Sequence, residues 1–228
     1  MQYYAYNQRN ITLIERWRMR RSVLQFLLAQ IGRLLGMRIA TSPRERPQSI
    51  QRLEAKDLPD AIRARFTRSV ADAEQAGAQF CFLCRVAENV LDRKDESRAA
   101  ALVDPGGLFW AVVGRVRVER GAAVAEKWVF RCVTRLVDDS FIETSNYRQR
   151  VELPSGREVH CIPDAEPRTI IAAHRGRLEA LGKVEVPPIT PGNLEATLLA
   201  RAQRHFDEMV ARGLLVPIEP PAPRGRRS

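Results

Sequence analysis

From Ser22 to Ala40, advancing about 100° per residue gathers Val23, Leu24, Leu27, Leu28, Ile31, Leu34, Leu35 and Ile39 on one broad face. Ser22, Gln25, Ala29, Gly32, Arg33 and Gly36 share the other, and Phe26 and Met37 widen the apolar side. This is the pattern of an amphipathic helix, and Thr41-Ser42-Pro43 stops it. Residues 1–40 therefore read as a basic amphipathic N-terminal helix, and 41–58, with Pro43 and Pro47, as a linker.

A second helix is expected after Pro59, with Asp60 at its start, Ile62, Phe66, Val70 and Ala73 at helical spacing, and Gly77 ending it. The period then switches to two. Phe80, Phe82, Cys84 and Val86 alternate with Cys81, Leu83, Arg85 and Ala87. Trp110, Val112, Val116 and Val118 alternate with positions that become charged at Arg115 and Arg117. Trp128, Phe130, Cys132 and Thr134 alternate with Val129, Arg131, Val133 and Arg135. A short strand over 141–145 follows Asp138-Asp139-Ser140, and Pro154-Ser155-Gly156 suggests a hairpin between 150–153 and 157–162. Two closing helices start near Pro167 and Asn193. The expected fold is α+β: an antiparallel β-meander of about five or six strands with helices packed on one face. It occupies 59–216, between the N-terminal helix and a disordered Pro/Arg-rich tail over 217–228.

Charge changes this picture by its location. Of the net +10, residues 1–68 carry 14 Lys+Arg against 5 Asp+Glu, and 69–165 carry 13 against 15. Residues 166–228 carry 10 against 7, an excess equal to Arg224, Arg226 and Arg227. Basicity thus belongs to the two ends, as in segments that meet phosphate-bearing surfaces. Only four of the 37 basic residues are Lys, which a GC-rich genome explains as well as selection for phosphate contacts does. Four cysteines in 228 residues make no disulfide scaffold, and twenty polar-rich residues before the apolar run argue against a secretory signal. The expected location is cytoplasmic, peripheral at a membrane and not secreted.

Candidate chemistry is sparse. Cys81 and Cys84 have metal-ligand spacing, with His160 and Cys161 as conceivable completions, but positions i and i+3 of a regular strand point to opposite faces. His174 lies on an apolar helical stripe and reads as a hydrogen-bonded core histidine. Asp138 and Asp139 read as turn formers. Glu143-Thr144-Ser145-Asn146 is more polar than strand packing requires, as for a strand running into a loop or the wall of a small pocket. No catalytic, cofactor-binding or metal-ligating residue is assigned, and no cofactor is expected. Arg115, Arg117, Arg131 and Arg135 read as sharing the side opposite Trp110 and Trp128, but the neutral charge of this region argues against a nucleic-acid groove.

The N-terminal stretch remains. Arg33 near the centre of a span would cost about 2.5–3.5 kcal/mol, so lying on the membrane surface is the easier mode. The candidate contact residues are Arg16, Trp17, Arg18, Arg20, Arg21, Leu24, Leu27, Leu28, Ile31 and Leu35. They would meet an anionic membrane surface or a partner helix, which makes the chain a non-enzymatic binding or adaptor domain. Two other classes are weighed beside it: a small-molecule-binding protein or small enzyme with a pocket between sheet and C-terminal helices, and nucleic-acid binding through the basic termini. Oligomeric state is not legible.

Overall fold

The computed structural model describes residues 2–7, 10–18, 44–86, 98–120, 123–147, 157–182 and 186–219. They form, in chain order, β1 (Tyr3–Tyr6), α1 (Leu13–Arg18), β2 (Ile50–Leu53), α2 (Asp60–Gln75), β3 (Gln79–Val86), β4 (Arg98–Val103), β5 (Trp110–Arg120), β6 (Ala123–Arg135), β7 (Phe141–Ser145), β8 (Arg157–Cys161), α3 (Pro167–Ala180), α4 (Leu194–Ala211) and β9 (Leu215–Ile218). Strands β2 to β8 make one mostly antiparallel sheet whose spatial order is their chain order, and β1 pairs with β9 in a separate ribbon. The fold is α+β. The N-terminal amphipathic helix read over 22–40 lies outside the described residues.

The details depart from expectation in four places. The sheet has seven described strands, because β4 and β2 join it. Strand β4 is a continuous apolar run, Ala99 to Val103, with no alternation to announce it; a strand buried on both faces has none. Strand β2 lies within the stretch read as a linker. Strand β8 runs parallel to β7, so the meander breaks at this edge, and its expected hairpin partner over 150–153 lies outside the described residues.

Helices cover both faces of the sheet instead of one. Leu102, Ala111, Val113, Phe130, Cys132 and Ile142 pack with Phe66 of α2 and Ile170, Ile171 and Leu178 of α3. On the other side Phe82, Cys84, Ala101, Val103, Trp110, Val133 and Phe141 pack with Leu194, Leu198 and Leu199 of α4. With apolar side chains alternating to both sides, one helical layer would leave the other face wet.

The outer half of α4 positions the chain ends. Its C-terminus closes with Gly213 N donating to Val210 O and Leu214 N donating to Met209 O, both at 2.8 Å, with Gly213 at φ 68°. A Cβ there would lie 2.5 Å from Asn10 Nδ2, which donates to Gly213 O at 3.1 Å. This turn sends the chain into β9 and hence against β1. A small third core of Ile11, Phe206, Met209, Leu214 and Leu215 forms there, with Tyr4 packed edge-on to Phe206 at 5.0 Å.

Candidate contact site on the N-terminal helix

Helix α1 begins with a capping box, in which Thr12 and Glu15 satisfy each other's backbone donors. Glu15 N donates to Thr12 Oγ1 at 3.3 Å and Thr12 N to Glu15 Oε2 at 2.9 Å. The same carboxylate receives both arms of Arg212, Nη1 and Nη2 each at 2.6 Å, and is 1% exposed. Ile11 is buried in the third core, so one side of α1 is docked. Leu13 and Ile14 are each 63% exposed, immediately before Arg16, Trp17 and Arg18 in the same helix.

The chain is described again from Arg44, and the mount continues there. Arg44 N and O bond Tyr4 O and N, both at 2.8 Å. Glu45 accepts from the Tyr3 hydroxyl, a bond that raises the Tyr3 pKa. Arg46 grips Asp207 with Nε at 2.9 Å and Nη2 at 2.8 Å, holding that carboxyl below its ordinary range, and Gln203 Nε2 donates to Pro47 O at 2.9 Å. Residues on both sides of 19–43 are thus tied to β1, α4 and the turn after it. Of the candidate contact residues, Arg16, Trp17 and Arg18 lie in α1. Arg20, Arg21, Leu24, Leu27, Leu28, Ile31 and Leu35 lie outside the described residues. Leu13 and Ile14 were missed because the angular pattern starts at Ser22, although Thr12-x-x-Glu15 signals a helix start here.

The titratable interior is occupied by structural bonds. His174 is fully buried, edge-on to Phe109 at 5.2 Å. Thr134 Oγ1 donates to Leu108 O at 2.9 Å, so it accepts from His174 Nε2 at 3.0 Å. Thr144 Oγ1 accepts from Arg177 Nη1 at 2.9 Å, so it donates to His174 Nδ1 at 3.0 Å. The two threonines therefore specify the neutral Nε2–H tautomer. Burial, and then the adjacent Arg177 charge, push the His174 pKa down to about 4. Between pH 4 and 6.5 the unfolded chain binds a proton that the folded chain refuses. The corresponding stability, about 3 kcal/mol, is complete above pH 6.5 and disappears as pH falls toward 4. Urea titrations at pH 7.5 and 4.5 should show this loss, and a His174→Phe variant should show much less of it.

The polar run 143–146 is built into the sheet. Glu143 receives Arg201 Nη2 at 2.8 Å, and Arg131 Nη1 lies 3.9 Å away. Thr144 serves His174, Ser145 Oγ accepts from Tyr147 N at 3.0 Å, and Asn146 Oδ1 accepts from Phe130 N at 2.9 Å. Asp104 pairs with Arg175 at 2.9 Å. Asp138 accepts from Ser140 N and Oγ, and Asp139 sits at φ 63° against Arg135, both as turn formers. Cys84 is buried, with its thiol raised to about 11 by desolvation and then by Glu195. A β-bulge between Phe80 and Phe82 shifts the strand register, so Cys81 and Cys84 pack against the same apolar cluster and the opposite-face reasoning fails there. Among the described residues no three His, Cys, Asp or Glu side chains come together to hold a metal ion.

The expected basic face also divides. Arg120 pairs with Ala123, so two residues separate the strands and cross-strand partners have opposite parity. Trp110 faces Val133 and Trp128 faces Arg115, which puts the two tryptophans on opposite sides of the sheet. Arg115 lies on the α2/α3 side, Arg131 on the α4 side.

No described helix is long and apolar enough to cross a membrane. No family model, curated protein or solved structure matches this chain, so its function is read from its own residues.

Proposed function

We propose that this protein is a non-enzymatic binding or adaptor domain held at an anionic membrane surface by its N-terminal basic segment. The observation that carries the reading is the pair Leu13 and Ile14, 63% exposed on a helix whose opposite side is locked to the body by Glu15–Arg212. Exposed aliphatic side chains beside Arg16, Trp17 and Arg18 combine the two contributions of interfacial helices: apolar insertion and attraction to anionic headgroups. Holding α1 on the fold through Glu15–Arg212 presents Leu13 and Ile14 in a fixed place, which lowers the ordering cost of contact.

Deleting 1–40 would also remove β1, the partner of β9, so a point variant makes the cleaner test. Leu13→Asn/Ile14→Asn alters only exposed positions. Co-sedimentation with phosphatidylserine/phosphatidylcholine vesicles should weaken by about tenfold or more if both side chains enter the interface. Equal pelleting of variant and parent would sink the reading.

A further inference from the structure

Three separate pieces of the chain fasten to the C-terminal half of α4. Arg204 Nη1 donates to Asp139 O of the β6–β7 turn at 2.8 Å, Asp207 takes both arms of Arg46, and Arg212, at the helix's C-terminal cap, holds Glu15 of α1. Along this stretch lies an open cleft of about 430 Å³, within the ~300–1,000 Å³ range of small-molecule sites. Ala200 and Ala211 mark its two ends, about 16 Å apart along the helix, and Arg46 forms its side wall. Its charged lining is two guanidiniums and two carboxylates. Arg46 pairs with Asp207, and Arg204 Nε donates to Glu208 Oε1 at 3.1 Å while its guanidinium lies 5.1 Å from the Phe141 ring centre.

We infer that this cleft takes the headgroup of an aminophospholipid, a phosphate ester carrying a primary ammonium group, with the phosphate on Arg46 and the ammonium on Asp207. This inference rests on the membrane reading above and names the lipid. Charge complementarity selects the ligand. A phosphate alone meets guanidiniums already neutralised by carboxylates, and an ammonium alone meets carboxylates already held by guanidiniums. A headgroup bearing both exchanges partners with Arg46 and Asp207 and leaves no charge unpaired. The exchange costs little, because the two side chains are 41% and 53% exposed and ion pairs so open to water contribute little stability. Placement is the second argument. Arg212 directly follows Ala211, so one end of the cleft adjoins the fastening of α1, where Leu13 and Ile14 immediately precede Glu15. A lipid whose acyl chains meet those two side chains has its headgroup within reach of the cleft.

The test compares co-sedimentation of the full chain with two kinds of vesicle at the same salt: phosphatidylserine/phosphatidylcholine and phosphatidylglycerol/phosphatidylcholine, at equal mole fraction. Both anionic lipids carry one net negative charge, and only phosphatidylserine has the ammonium group. The expected result is binding about threefold to fivefold tighter to phosphatidylserine, the worth of one exposed charge pair. Asp207→Asn should bring that ratio close to one, and Asp207→Glu should keep it. Loss of the negative charge in Asp207→Asn favours both vesicles alike, so the ratio is the readout, with unchanged thermal melting as the check on folding. Equal binding of the parent to both lipids, or an Asp207→Asn variant that keeps the parent's ratio, overturns the headgroup site and leaves the membrane reading standing. A parent that pellets with neither overturns both. If soluble glycerophosphoserine raises the parent's melting temperature while the two vesicles bind equally, the ligand is a free ester and the lipid assignment falls.

Discussion

Glu143→Ala should lower the unfolding free energy by about 3–5 kcal/mol and the melting temperature by on the order of 10 °C. Glu143 is buried at the middle of β7, and its carboxylate is the counter-charge for Arg201 on α4, with Arg131 of the neighbouring strand nearby. Removing it leaves a guanidinium stacked over Phe141 at 4.7 Å and near Trp110 at 5.7 Å, where solvent replaces the lost partner poorly. The penalty is chiefly the stranded charge, so Glu143→Ala/Arg201→Met should recover much of the loss. Urea unfolding of the single and double variants measures both quantities. A single-variant loss below about 1 kcal/mol would mean that water reaches Arg201 freely.

His174→Ala should cost a similar amount, about 3–5 kcal/mol, by a different route. It opens a cavity beside Phe109 and takes the acceptor from the Thr144 hydroxyl. His174→Phe separates the two effects, because it restores the volume and leaves only the polar loss. Thr134 keeps its bond to Leu108 O in either variant, so the phenylalanine form should lose about 1–3 kcal/mol. A phenylalanine variant as unstable as the alanine one would put the polar bonds, not packing, in charge of this site.

Much of the fold is legible in the sequence where one period dominates. Helices at 60–75, 167–180 and 194–211 follow from apolar spacing and from Pro167 and Asn193 at their starts, the alternating strands β3, β5 and β6 follow from period two, and β7 follows from the turn residues Asp138-Asp139-Ser140 before it. The buried character of His174 is likewise written in the stripe of Ile170, Ile171 and Leu178. What escapes depends on relations between elements. Strand β4 has no alternation because both its faces are covered. The sides of Trp110 and Trp128 depend on the two-residue spacing between β5 and β6, since one residue more or less would reverse them. The covering of both faces needs the whole sheet assembled. The candidate site is legible in part. Its basic apolar character is local, but Arg212 as the partner of Glu15 and β9 as the partner of β1 are long-range pairings with no local mark.

The ribbon formed by the chain ends also has a consequence in time. Gln2 and Ile218 are 216 residues apart, and pairing segments so distant closes a loop that only the prior folding of everything between them makes affordable. During synthesis β1 emerges before β9, with the whole seven-stranded sheet between them. The mount for α1 is therefore complete only after residue 218 has left the ribosome.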